Sequence, residues 1–360
     1  MNTYRLGIIG LGRIGSTIDG EGHRVKPYSI AGCSQEMEQL NLVAGSDLEK
    51  DKRTAFQERW GVPSLYEDYE EMLAKENLDM VAVCTTASGL FKPANRAPDA
   101  SFRGDSHADL AVAVANAGVP MLYLEKAMAS SLDRADEIRD AVLQHKTVFN
   151  TGVLRRFNKQ YHVARDAIAG GEIGEPKVAI HYASSTLMHG HIHSIDTASF
   201  LLGDPPIEAV RGELVPRDLE IENNQLAVDP RGTYQIRFAN GIDAWSVPAG
   251  EWEFEVLGTD GCIRVVNNGE GIQLRKAQEK YGNRRMWEEA SIEGDRGESH
   301  VVSCLKDLIE AYETGRPSLG RVEVAHHVTE ACIAVAESHR QGGVWVDLPL
   351  EERDLYIFHI

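Results

Sequence analysis

Three stretches of this chain bring together residue types that do chemistry. The first is Gly10-Leu11-Gly12-Arg13-Ile14-Gly15, a GxGxxG turn after an apolar run. Its first glycine permits a tight turn, its second lets the backbone approach a pyrophosphate, and its third lets helix and strand pack closely. Backbone N–H groups at the start of a following helix then face the phosphates. Asp47 ends a second apolar run. A carboxylate there accepts hydrogen bonds from the ribose hydroxyls of NAD, and its charge repels the 2′-phosphate of NADP. Lys50, Lys52 and Arg53 lie nearby and weaken that preference slightly. The interval from Gly15 to Asp47 is longer than such motifs require, so residues 19–38 are expected to form an inserted loop.

The second stretch is Glu125-Lys126, at the end of the apolar run Pro120–Leu124. In an open parallel sheet, ligands sit outside the carboxyl ends of the strands. A lysine there reaches both a nicotinamide ribose and a substrate hydroxyl. The third is His189-Gly190-His191-Ile192-His193, with His181 upstream. On a strand, imidazoles at i and i+2 share a face and suit a metal. Alternatively, histidine titrates near neutrality and suits acid–base work. A metal needs three or four converging ligands. No cysteine is near, and Asp196 is the only close carboxylate. Acid–base chemistry without a metal is therefore the expectation.

Such residues need a scaffold to hold them. The first 150 residues alternate short apolar runs with helical patterns. The runs are Tyr4–Ile9, Leu40–Gly45, Met80–Cys84, Pro120–Leu124 and Thr147–Thr151. They do not alternate in polarity, as befits strands buried on both faces of a parallel sheet. His107, Leu110, Ala111 and Val114 recur at helical spacing, with Gly118 as the stop. Ser131 precedes a helix over Leu132–Gln144. After residue 151 the texture changes. One helix, Lys159–Ala169, is followed by strand-like segments at Lys177–Ser185, Ala209–Val215, Thr233–Phe238, Ile242–Val247, Trp252–Leu257 and Cys262–Val266. Asn240-Gly241 and Asp260-Gly261 mark hairpin turns. Helices return at Val301–Tyr312 and Val322–His339. The fold class is α/β. A doubly wound Rossmann domain over 1–151 precedes an α+β domain over 152–360, with a large, mostly antiparallel open-faced sheet.

Composition sets outer limits. The chain has 360 residues, 42% hydrophobic and 26% charged, with a formal net charge of −18. Such acidity argues against a nucleic-acid binder, whose affinity rests on neutralising phosphates. No apolar run is long enough for a membrane helix. The first residues hold no basic segment followed by an apolar core. Five scattered cysteines without a Cys-x-x-Cys motif fit a reducing compartment. The expectation is a cytoplasmic enzyme.

Taken in order, these motifs resemble the Gfo/Idh/MocA family of sugar oxidoreductases. The resemblance rests on Gly10–Gly15, Asp47, Cys84-Thr85-Thr86, His107, Ala117-Gly118-Val119 and Glu125-Lys126. It continues in Arg155-Arg156-Phe157, His193-Ser194-Ile195-Asp196, Leu201-Leu202-Gly203 and Gly258-Thr259-Asp260-Gly261. The chain departs from the family in three places. Ala127 replaces a common proline, His189 stands where an Asp often precedes the catalytic histidine, and residues 87–106 replace a short loop.

The resemblance implies NAD held by Gly10, Leu11, Gly12, Arg13, Ile14, Gly15, Asp47, Thr85, Thr86, Glu125 and Lys126. It implies catalysis by Lys126 and His193. His193, opening a helix over Ser194–Leu202, matches the family's base, and Asp196, one turn on, would orient the imidazole or a substrate hydroxyl. Substrate contacts would come from Arg156, His189 and His193. The implied reaction is hydride transfer between the nicotinamide and a hydroxyl-bearing carbon of a sugar, cyclitol or derivative. The sheet of the second domain often builds homodimers or tetramers in this family. Redox-assisted elimination with retained NAD, and a ligand-sensing regulator on the same fold, stay open as alternatives. The segment Ser88–Ser106 is expected to act as a substrate lid. The apolar run Leu355–Ile360 is expected to dock on its own domain or a neighbouring subunit.

Overall fold

The fold is described from a computed structural model, which covers residues 2–22, 25–89, 97, 101–280 and 284–360. The chain forms two units. Unit 1 comprises residues 1–154, 298–326 and 358–360, and unit 2 comprises residues 155–297 and 327–357.

Unit 1 begins with β1 (Tyr4–Ile9), whose end leads into the glycine turn. There follow α1 (Ile30–Glu36), β2 (Leu40–Ser46), α2 (Lys50–Trp60), β3 (Ser64–Tyr66), α3 (Tyr69–Lys75), β4 (Met80–Val83), α4 (Ser106–Asn116), β5 (Met121–Leu124), α5 (Leu132–His145) and β6 (Val148–Thr151). The strands pair in parallel in the order β3-β2-β1-β4-β5-β6. β4 and β5 are buried at every position, which is why their sequence shows no alternation. The order reverses between β1 and β4, and in such sheets ligands bind at that crevice.

Unit 2 carries α6 (Lys159–Ala169), β7 (Pro176–Tyr182), α7 (Ile192–Leu201), β8 (Ile207–Val215), β9 (Gln225–Leu226), β10 (Arg231–Phe238), β11 (Asp243–Val247), β12 (Glu253–Gly258), β13 (Gly261–Val266), β14 (Gly271–Lys280) and β15 (Arg284–Ala290). Two more helices, α8 (His300–Thr314) and α9 (Val322–Arg340), and two short strands, β16 (Val346–Asp347) and β17 (Tyr356–Ile357), complete the chain. The large sheet runs β15-β14-β13-β12-β7-β11-β10-β8-β16, antiparallel except where β7 meets β11. One of its faces is buried. α9 lies close on β8 at Gly212, where a Cβ would stand 2.7 Å from Val335. The other face presents a row in direct cross-strand register, Glu255-Ile180-Trp245-Gln235-Arg211.

Two expectations need correction, and one hairpin lies beyond them. The second domain does not take everything after residue 151, because α8 returns to unit 1. Asn150 on β6 is fully buried and donates to Cys304 O at 3.1 Å and to Asp307 Oδ2 at 2.9 Å. α8 also buries Val301, Val302, Leu305, Leu308 and Ile309, each worth about 1.5–3 kcal/mol on transfer from water. The hairpin β14–β15 was not expected, since Gln273, Arg275, Glu288 and Glu289 give it a polar pattern that hides the strand. Finally, residues 19–38 are not all loop, because α1 lies within them. Asp19 gathers this segment by accepting from Tyr28 N at 2.6 Å and Ser29 N at 3.1 Å. Ser29 in turn caps α1 by accepting from Gly32 N at 2.9 Å.

Candidate active site

The carboxyl edge of the unit 1 sheet gathers the cofactor residues in strand order. After β1, Gly10 has φ +90°, and a Cβ there would stand 2.7 Å from the Cys84 backbone. A Cβ on Gly15 would lie 2.2 Å from Gly10 O. Only glycine fits either place. Gly12 differs, because a Cβ there would meet nothing within 4 Å. The turn thus packs tightly against the sheet at both ends and stays open in the middle, as a pyrophosphate needs. The helix expected after the motif is not a regular one. Ser16 N and Thr17 N both donate to Gly12 O, at 2.9 and 3.2 Å, making a short π-type turn over Arg13–Thr17. Arg13 reaches out to Glu21 and pairs with it at 2.7 Å through Nη2. Leu11 and Gly15 are buried, and Ile14 is half-buried.

Asp47 follows β2 and is buried. Its Oδ2 accepts from Leu11 N at 2.9 Å, which ties the glycine turn to the neighbouring strand end. Its Oδ1 accepts from Glu49 N at 2.9 Å, and Lys52 Nζ lies 3.9 Å from the carboxylate. After β4, Thr85 and Thr86 are half-buried. Thr86 Oγ1 donates to Gly89 O at 2.7 Å. After β5 comes Glu125, which is not a solvated partner of Lys126. It is buried, it accepts from Tyr123 Oη at 2.6 Å and from Lys126 N at 3.2 Å, and burial pushes its carboxyl upward. Gly152 lets it fit, since a Cβ there would lie 2.6 Å from Glu125 Oε1. Lys126 is half-buried, and the Lys126–Ala127 peptide is cis. These residues fit a dinucleotide laid across the switch point, and their donor set of backbone N–H groups, carboxylate and lysine suits phosphate, ribose and nicotinamide in turn.

In unit 2 the histidines do not line one strand face. Thr186 leads into a π-type turn over Leu187–His191 that runs directly into α7. The three imidazoles therefore diverge. His189 is exposed, His191 is fully buried, and His193 is half-buried in the first turn of α7. Asp229 accepts from Met188 N and His189 N, both at 2.8 Å, and fixes this turn. His191 Nδ1 and His181 Nε2 each lie 3.3 Å from Ser194 Oγ. Burial holds their pKa values down, to about 4 for His191 and about 2 for His181. Among the described residues, no three His, Cys, Asp or Glu side chains are grouped as a metal set would be.

Arg156 and Asp196 form a buried ion pair. Arg156 is fully buried, and it donates through Nε to Asp196 Oδ1 at 2.7 Å and through Nη2 to Asp204 Oδ1 at 2.7 Å. The guanidinium fork is thereby occupied, which corrects the expectation of a substrate contact. Asp196 is also buried, and burial pushes its carboxyl up to about 6 against the pull of Arg156. Asp196 thus anchors α7 through Arg156 with Oδ1, while its buried Oδ2 has no hydrogen-bond partner among the described residues. Arg155 stacks on Trp252, 4.6 Å from the ring centroid.

Some residues of this framework are not singled out by sequence motifs. Asp204, at φ +58° after Gly203, completes the Arg156 clasp. Asp105 is buried, caps α4 through Ala108 N at 3.0 Å and accepts from Ser130 N at 2.6 Å. The expected lid Ser88–Ser106 lies largely outside the described residues. Its described ends are tied to unit 1 at Ser88, Asp105 and Ser106.

Residues 4–153 match the model of an oxidoreductase family with an NAD-binding Rossmann fold, and residues 177–348 match that family's C-terminal alpha/beta domain. The myo-inositol 2-dehydrogenase of Thermotoga maritima is 26% identical over 334 residues, spanning 87% of this chain and 89% of that protein. The scyllo-inositol 2-dehydrogenase (NAD(+)) of Bacillus subtilis is 25% identical over 285 residues, 72% of this chain and 73% of its own. Among solved structures, the aldose-aldose oxidoreductase from Caulobacter crescentus, complexed with glycerol, shares the fold with a TM-score of 0.73 at 18% identity, over 96% of this chain and 100% of that one. An oxidoreductase from Agrobacterium radiobacter, solved with NAD+, L-tartaric acid and magnesium, gives a TM-score of 0.72 at 16% identity, over 96% and 98%. With both halves matched in order and the glycine turn built for a pyrophosphate, the chain belongs to the Gfo/Idh/MocA oxidoreductases, its N-terminal part their NAD-binding Rossmann domain.

Proposed function

We propose that this oxidoreductase oxidises, or forms in reverse, a secondary hydroxyl on a polyhydroxylated ring, a cyclitol or a sugar. The two inositol dehydrogenases among its relatives support the ring substrate. The observation that carries the reading is Lys126, half-buried beside buried Glu125 at the end of β5, two strands from the glycine turn's own strand in the order β1-β4-β5. NAD, when bound, supplies the hydride acceptor. Lys126 holds the nicotinamide ribose and donates to the reacting oxygen, stabilising developing alkoxide charge. His193, half-buried in the first turn of α7, takes the hydroxyl proton directly or through water. His189 is a further substrate contact. Asp47 selects NAD over NADP by meeting the ribose hydroxyls and repelling a 2′-phosphate.

The open sheet face supports assembly with a second copy. Trp245 is 42% exposed in the centre of its cross-strand row, flanked by Ile180 and Gln235, with the Arg211 guanidinium 5.9 Å from its ring centroid. Five buried, unpaired thiols support a reducing cytoplasmic setting. The test is a panel of myo-inositol, scyllo-inositol, aldoses and sugar acids with NAD, read as NADH absorbance. NADH formation with one ring polyol is expected. Ring conversion without net NADH would instead favour elimination with retained cofactor.

A further inference from the structure

The turn that carries Lys126 is gripped from far along the chain. The Ala127 amide donates to His359 Nε2 at 3.2 Å. The Ala127 carbonyl meets His107 Nδ1 at 2.7 Å, while His107 Nε2 lies 3.1 Å from Thr85 O. Burial lowers the pKa of His107 against the pull of the two carbonyls that its ring nitrogens face. His359 is itself buried and held on its backbone. Ser88 N donates to His359 O at 3.1 Å, and His359 N donates to Ser88 Oγ at 3.0 Å. The Phe358 ring packs edge-on against Phe102, 6.0 Å between centroids. All these groups belong to unit 1.

The geometry has a consequence for Lys126. The peptide plane before it is fixed because Lys126 N donates to Glu125 Oε2 at 3.2 Å. The plane after it contains the Ala127 N–H, which His359 holds. With both flanking planes fixed, the lysine's φ and ψ are fixed, and so is the direction in which its side chain leaves the backbone. We propose that His359 is a positioning residue, whose Nε2 lone pair aims Lys126 by anchoring the Ala127 amide. The proposal rests on the reading that Lys126 contacts the reacting hydroxyl.

Three variants separate anchoring from packing. His359→Leu keeps bulk and removes the acceptor. His359→Gln places Oε1 near the Nε2 position, and His359→Asn reaches only the Nδ1 position. Two readouts are taken. One is turnover with NAD and the polyol that the panel returns. The other is exchange of the Ala127 amide in [15N]alanine-labelled protein without cofactor. His359→Leu should lower kcat about 10- to 100-fold, as a misplaced reacting group does, with KM for NAD and polyol within about twofold. Its Ala127 amide should exchange at least about tenfold faster, consistent with loss of the hydrogen bond. His359→Gln should restore both to within about threefold, and His359→Asn should restore neither. Wild-type kcat and exchange in His359→Leu would overturn the proposal, as would equal losses in Gln and Leu. If His359→Leu does not fold, Gln and Asn decide, and equal behaviour of that pair overturns the proposal. Near-normal turnover in Lys126→Ala would instead overturn the role given to Lys126, with the exchange rates still reporting whether His359 anchors the turn.

Discussion

At the scale of residues, the candidate site divides into groups that act and groups that hold. Lys126 and His193 are half-buried, and the proposed function puts them in the first kind. Lys126→Ala and His193→Ala should each lower kcat by about 10²–10⁴-fold, and His193→Ala should leave NAD affinity unchanged by calorimetry. Near-normal turnover in His193→Ala would transfer the base's role to His189. Asp47 tests cofactor choice. Asp47→Ala should weaken NAD binding and narrow the gap to NADP in paired titrations, and tighter NADP binding by the wild type would refute that role. Arg156 belongs to the second kind. Removing one partner from a buried ion pair strands the other charge and costs about 3–5 kcal/mol. Arg156→Leu should therefore lower the urea midpoint strongly. A fully stable variant with a raised KM would show that Arg156 touches substrate after all.

At the scale of elements, α7 ties chemistry to stability. Its first turn carries His193, and beside it His191, His181 and Ser194 form a buried polar cluster, with the Tyr234 ring T-shaped to His191 at 5.1 Å between centroids. His191 is held down to about 4 by burial, so it stays neutral in the native state and takes up a proton on unfolding below its ordinary value of 6.5. A histidine with a lowered folded pKa makes the unfolded state bind more protons, so stability falls as the pH drops. Its contribution is complete above 6.5 and is lost progressively towards about 4. Asp105, raised by burial to about 7, works in the opposite direction between its ordinary value of 3.8 and 7. Raw acid unfolding therefore mixes the two. The difference between wild type and His191→Gln isolates the histidine. That difference should shrink by up to about 1.4 kcal/mol per pH unit on acidification from 6.5 towards 4. Parallel stability curves across that range would show that His191 is not buried neutral.

At the scale of the whole molecule, the sheet of unit 2 exposes Trp245 on the face opposite α9. The row Glu255-Ile180-Trp245-Gln235-Arg211 sets an apolar pair, Ile180 and Trp245, between polar groups across five strands. Arg211 and Arg237 lie over Trp345, 5.1 and 4.3 Å from its ring centroid. Aromatic and arginine side chains mark the centres of protein interfaces. Trp245→Glu should place a charge in such a centre and lower the mass found by light scattering to that of a single chain. An unchanged assembly mass would move the interface elsewhere.

The sequence by itself determined the dinucleotide turn, the parallel sheet beneath it and the position of Lys126 at a strand end. Those features are local, since glycine spacing, unbroken apolar runs and strand–turn–helix order are set within a few dozen residues. Helix α6 was legible to the residue, because its apolar positions and its Gly170-Gly171 stop lie inside one short window. The tertiary structure alone decided the rest. His-x-His-x-His reads equally as a strand or a turn, and only the Asp229 clasp, the π-type turn and α7 send its three imidazoles apart. Arg156 could have met a substrate or a carboxylate, and the approach of Asp196 and Asp204, forty and forty-eight residues on, chose the carboxylates. The return of α8 to β6 and the grip of His359 on Ala127 join residues 154 or more positions apart. No local pattern encodes such pairings, because their free energy comes from burying polar groups against partners that chain folding alone brings together.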